Sequence, residues 1–94
     1  MERKIYQWGK EYGPPAYTVI DNKIYHGYAN GSPTYEIRGN QIFRYHSNGS
    51  PIFTIMGDDI YPGRFNAGVP QFAIRNNKIY GGRLTNESPI YVIR

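Results

Sequence analysis

Two sequence patterns recur along this chain with a single period, and that shared period restricts the fold more than any other feature. Ile-aromatic pairs stand at Ile5-Tyr6, Ile24-Tyr25, Ile42-Phe43, Ile60-Tyr61 and Ile79-Tyr80, spaced 19, 18, 18 and 19 residues apart. A proline-led pattern keeps step with them at Pro15-x-Tyr17-x-Val19, Pro33-x-Tyr35-x-Ile37, Pro51-x-Phe53-x-Ile55, Pro70-x-Phe72-x-Ile74 and Pro89-x-Tyr91-x-Ile93. Chance does not place two independent patterns on one period. The spacing predicts five tandem β-hairpin repeats of about 19 residues, bounded at 2–20, 21–38, 39–56, 57–75 and 76–94.

Between the two patterns sit Asp21-Asn22, Gly39-Asn40, Gly57-Asp58 and Asn76-Asn77, residues that tolerate positive φ. Such pairs suit two-residue type I′ hairpin turns, whose twist matches that of the flanking strands. With those turns, Val19 faces Ile24, Ile37 faces Ile42, Ile55 faces Ile60 and Ile74 faces Ile79. Side chains two apart in a strand share a face, so Tyr17, Tyr35, Phe53 and Phe72 join these aliphatics. This first face reads as the core, with Ile37 and Ile74 buried on it. The second face carries Tyr6, Tyr25, Phe43, Tyr61 and Tyr80 opposite Thr18, Glu36, Thr54 and Ala73, and reads as amphipathic and water-tolerant. Longer connections such as Asn30-Gly31-Ser32-Pro33 and Asn48-Gly49-Ser50-Pro51 join the hairpins at their other end, where proline can open a strand without removing a central ladder bond.

The predicted fold is all-β: ten short strands in an up-and-down meander, with no helix. The first residues, Glu2-Arg3-Lys4-Ile5-Tyr6, occupy a repeat start, and Ile93-Arg94 stand where other repeats enter a turn. The last strand can therefore pair with the first, closing a barrel or ring and removing both sheet edges. An open single-layer hairpin sheet, completed by dimerisation, is the alternative. Ninety-four residues are read as one domain. The absence of cysteine leaves core and ladder bonds to hold it. No membrane insertion is expected, since no run approaches the roughly 18 apolar residues a spanning helix needs. With no signal-peptide pattern, a cytoplasmic location is the expectation.

The Tyr-x-Gly steps at Tyr25-His26-Gly27, Tyr61-Pro62-Gly63 and Tyr80-Gly81-Gly82 resemble the start of a MORN repeat, a family of consecutive β-hairpins used for scaffolding and for lipid or protein contact. The resemblance covers the first strand of three repeats. Trp8 and Tyr45 stand at the glycine position in the other two. It implies hairpin repeats used for binding or scaffolding.

No catalytic constellation stands outside the repeat. Only His26 and His46 are histidines, and they occupy different repeat positions, so neither a metal nor a cofactor is implied. Asp58 and Asp59 are consecutive and so point apart, which argues against an acid/base pair, and the Gly57-Asp58 turn explains their presence. Asn30, Asn48 and Asn86 each open an Asn-x-Ser triplet, but each lies in a repeated loop just ahead of proline. The chain is therefore read as a non-enzymatic binding or assembly module. Variable loop residues Trp8, Tyr12, Tyr28, Tyr45, His46 and Phe65, together with Leu84, would supply contacts to a protein partner, a small ligand or a second copy in a homodimer. The alternative is nucleic-acid or other polyanion binding, because a net charge of +4 includes Arg3, Lys4, Lys23, Arg38, Arg75 and Lys78 near the short turns, interleaved with aromatics.

Overall fold

A computed structural model describes residues 1–64, 68–82 and 87–94. Phe65, Leu84 and Asn86 lie outside the described residues. The chain forms ten antiparallel strands: β1 (Glu2–Gln7), β2 (Tyr17–Ile20), β3 (Lys23–His26), β4 (Tyr35–Arg38), β5 (Gln41–Arg44), β6 (Phe53–Met56), β7 (Asp59–Pro62), β8 (Phe72–Arg75), β9 (Lys78–Gly81) and β10 (Tyr91–Ile93). Each strand pairs with its chain neighbours, and β10 returns to β1, so the meander closes into a barrel. At the seam Ile5 faces Ile93 and Tyr6 faces Val92. The Lys4 amide donates to the Arg94 carbonyl at 2.9 Å, and the Arg94 amide donates back at 2.8 Å.

The pairs expected across the short turns are present: Val19 with Ile24, Ile37 with Ile42, Ile55 with Ile60 and Ile74 with Ile79. The turns themselves differ from the type I′ expectation. Asp21, Gly39 and Gly57 have positive φ (55°, 62° and 61°) while the residue after each does not, and only Asn76-Asn77 is left-handed at both positions (53° and 63°). Positive φ at the first central residue alone marks a type II′ turn, the form that glycine in first place favours. Gly39 and Gly57 meet that requirement, leaving Asn40 and Asp58 free of left-handed strain.

One offset recurs around the wall. Ile5 faces Tyr17, and Tyr17 faces His26, two residues beyond Ile24. Ile24 leads through Tyr35 to Arg44, two beyond Ile42. The same step runs from Ile42 through Phe53 to Pro62, from Ile60 through Phe72 to Gly81, and from Ile79 through Tyr91 to Gln7. Two residues at each of five steps make a shear of ten for ten strands. Shear equal to strand number tilts strands by about 36°. Because most strands have only four residues, the barrel is wider than tall, with extents of 36 × 35 × 17 Å.

Burial departs from the sequence reading. The most buried side chains include Thr18 (1% exposed), Thr54 (5%) and Ala73 (0%), all on the outer face; on the inner face Ile42 and Ile79 are buried (9% each), whereas Ile37 and Ile74 are only half-buried. Packing explains the burial of the outer face. Each small outer residue stands beside an aromatic one in register: Thr18 by Tyr25, Thr54 by Tyr61, Ala73 by Tyr80 and Val92 by Tyr6. Two of them also hold the start of a loop, since Thr18 Oγ1 donates to the Gly27 carbonyl at 2.6 Å and Thr54 Oγ1 to that of Gly63 at 2.7 Å. The outer wall is therefore sealed by its own residues.

The Tyr-x-Gly step also finds its cause here. Gly27, Gly63 and Gly82 have φ near +65° (62°, 70° and 63°), and their amides extend the ladder to the carbonyls of Ala16, Ile52 and Gln71 at 2.7–2.8 Å. Trp8 and Tyr45 make the corresponding bonds to Ile90 and Thr34, and the left-handed residue falls one place later, at Gly9 (83°) and His46 (66°). Neighbouring glycines should accordingly respond differently to alanine. Gly82→Ala forces a side chain into left-handed backbone and is expected to cost about 1–2 kcal/mol; Gly81→Ala, where φ is ordinary and a Cβ would meet nothing within 4 Å, should be neutral or slightly stabilising. Thr54→Val should cost about 1–3 kcal/mol by leaving the Gly63 carbonyl without its donor. Denaturant unfolding checks all three variants.

Candidate functional site

Because the strands tilt, side chains on alternate strands reach one level and form rings across the lumen. One ring is Ile5, Ile24, Ile42, Ile60 and Ile79, from β1, β3, β5, β7 and β9. Another, nearer the long loops, is Tyr17, Tyr35, Phe53, Phe72 and Tyr91, from β2, β4, β6, β8 and β10. These two rings line a cavity of about 240 Å³, to which every strand contributes one side chain. A third ring of Val19, Ile37, Ile55, Ile74 and Ile93 lies toward the short turns and does not line it, so the cavity sits toward the loop end. Beyond the aromatics, on the same face, Gln7, His26, Arg44, Pro62 and Gly81 form an exposed mouth.

The aromatic ring is not uniform. Around the closed barrel Tyr35, Tyr17 and Tyr91 are consecutive, and Phe53 and Phe72 are consecutive. Tyr17 and Tyr91 meet edge to face at 6.2 Å, as do Phe53 and Phe72 at 5.9 Å, an arrangement favoured by the ring quadrupole. The His26 ring lies 5.0 Å from that of Tyr17 at the mouth. Burial pushes the Tyr17 hydroxyl pKa above its ordinary value of 10.0, and the neighbouring Tyr91 and Tyr35 hydroxyls push it in the same direction.

The loop residues expected to bind do not share this site. Trp8 is 46% exposed and lines a shallow cleft with Gln7, Pro89, Ile90 and Tyr91 on the rim. Tyr12 and Tyr28 are exposed. The Tyr45 and His46 rings lie 4.0 Å apart, tilted by 54°, with Tyr45 half-buried. Phe65 lies outside the described residues. Among the expected polyanion contacts, Lys4 pairs with Glu2, Arg38 with Glu36 at 3.2 Å and Arg75 with Asp59 at 3.4 Å. Arg38 also lies 4.4 Å over the Phe43 ring. Lys23 stands in register with Glu36, Arg3 donates to Asn77 Oδ1 at 3.2 Å, and Lys78 is half-buried opposite Val92.

Read from the sequence, the lumen aromatics belong to the core face and His26 carries no site role. The signal was the identity of the residue two beyond each conserved-spacing proline: Tyr, Tyr, Phe, Phe, Tyr in chain order. Only ring closure makes the first and last of these neighbours. Among the described residues, no group of three metal-ligating side chains is assembled. No protein-family model, curated protein or solved structure matches the chain.

The raised Tyr17 value has a signed consequence. The folded chain holds this proton more tightly than the unfolded chain, so the stability it contributes is full below pH 10.0 and is lost as pH rises through the raised value. Unfolding midpoints measured between about pH 8 and pH 12 should fall less steeply above pH 10 for Tyr17→Phe than for the unaltered protein.

Proposed function

We propose that this chain is a non-enzymatic binding module whose ligand sits in the barrel lumen. The observation that carries the reading is the cavity of about 240 Å³ at the centre of a protein of only 94 residues. Protein interiors pack to a density near 0.75, and an apolar cavity of about 150 Å³ already takes up benzene. Ten strands also give a barrel wider than the eight-stranded kind that just fills or holds one small ligand. The lining is aliphatic and aromatic with a few hydroxyls, the composition of small-molecule sites.

A second reading keeps the loops as an association surface, for a homodimer or a protein partner. It is favoured by Trp8 (46% exposed) and Ile90 (41%), apolar side chains that lie together at the rim cleft. Polyanion binding has less support, because Lys4, Arg38 and Arg75 already face carboxylates.

Toluene is a neutral probe small enough for the lumen. Titrating it into protein labelled at isoleucine methyls should shift Ile24, Ile42 and Ile60 in a saturable way, leaving the Trp8 indole resonance in place. Shifts confined to Trp8 and Ile90 would move binding to the loops, and no saturable shift would reject the lumen.

A further inference from the structure

We infer that the lumen takes a small carboxylic acid with an apolar body, the carboxylate on the tyrosine side and the body against Phe53 and Phe72; this rests on the lumen reading above. The argument begins with the division of the lining into two contiguous sectors. Tyr35, Tyr17 and Tyr91 follow one another around the barrel, and the mouth residues in register with them are Arg44, His26 and Gln7. Phe53 and Phe72 complete the ring, in register with Pro62 and Gly81. The polar half and the apolar half therefore coincide in two successive rings. A ligand apolar all round would leave three phenol groups facing hydrocarbon, and one polar all round would leave two phenylalanines and the isoleucine ring facing polar atoms. An amphiphile satisfies both halves.

The tyrosine hydroxyls are free to serve it. Among the described residues Tyr17, Tyr35 and Tyr91 make no hydrogen bond through their hydroxyls to the protein. A phenol O–H donates to an acceptor, and a carboxylate can accept several donors at once.

Charge then chooses the acid over a neutral head group. Arg44 projects at the mouth beside Tyr35 and takes part in no ion pair among the described residues. The strand carboxylates are on the opposite surface: Glu36 stands in register with Phe43, Asp59 with Ala73 and Glu2 with Ile20, all on the outer face. An anion entering the lumen thus meets an unpaired guanidinium and no strand carboxylate. A head group at the mouth and a body of about nine non-hydrogen atoms suit a cavity of about 240 Å³, the space of about eight waters at ~30 Å³ each.

The test compares 4-phenylbutyrate with its amide, 4-phenylbutyramide, by calorimetric titration of the intact chain at neutral pH, with isoleucine-methyl spectra locating each. The acid should bind at least about ten-fold more tightly than the amide, the difference made by a charge-assisted hydrogen bond. Arg44→Gln, a change at an exposed position, should remove most of that preference and leave amide affinity within about two-fold. Equal affinity for acid and amide in the unaltered protein overturns the acid assignment. If toluene still shifts the lumen methyls, the lumen reading survives that failure; if neither toluene nor the acid shifts them, both fall. Acid binding that shifts loop resonances while the methyls stay still also overturns the inference.

Discussion

The antiparallel seam between the first and last strands is the interaction on which the rest of this molecule depends. Strands of three to six residues, with no disulfide between them, make a weak open sheet, and two bare edges would invite pairing with other chains. Closing β1 onto β10 removes both edges. It also fixes the width of the barrel, because the two-residue offset between successive hairpins must sum to a shear compatible with ten strands.

Width then decides what the interior can be. In an eight-stranded parallel barrel of shear eight, layers of four side chains fill the centre. Here the rings have five members, and isoleucine or an aromatic ring at each place leaves a central space of about 240 Å³. The tightest packing has moved to the outer wall, where Thr18, Thr54 and Ala73 sit closed beside tyrosines and the threonine hydroxyls tie down Gly27 and Gly63. Stability and the candidate site thus draw on opposite faces of the same short strands. That separation leaves the lumen lining able to vary in polarity around the ring without disturbing the wall.

Much of this architecture is legible in the residues. The cross-turn pairs such as Val19 with Ile24 follow from turn length alone, and the seam follows from the way Ile93-Arg94 would continue into Glu2-Arg3. The turn type was not legible, since glycine or asparagine chemistry permits both primed turns and the choice rests on which of two residues takes positive φ. Burial was misread because pattern reasoning assigns the more apolar face to a filled core; a five-membered ring of isoleucines is apolar and still unfilled. The basic stripe looked available because the sequence does not reveal that Arg38 leans back to Glu36 and Arg75 to Asp59. The two-sided lumen was written in Tyr17, Tyr35, Phe53, Phe72 and Tyr91, but residues 74 positions apart become neighbours only in a closed ring.

Closure is therefore the claim to measure. Ile5 and Ile93 face each other at a position flanked by the reciprocal Lys4–Arg94 hydrogen bonds, where the Cα atoms of an antiparallel pair come closest. A nuclear Overhauser contact between the Ile5 and Ile93 Hα atoms, recorded on uniformly labelled protein and again on a mixture of labelled and unlabelled chains filtered for contacts between molecules, tests it directly. The account predicts a strong contact in the first spectrum and none in the second. No contact in either, or a contact that persists between labelled and unlabelled chains, would show an open sheet or a sheet completed by a second molecule.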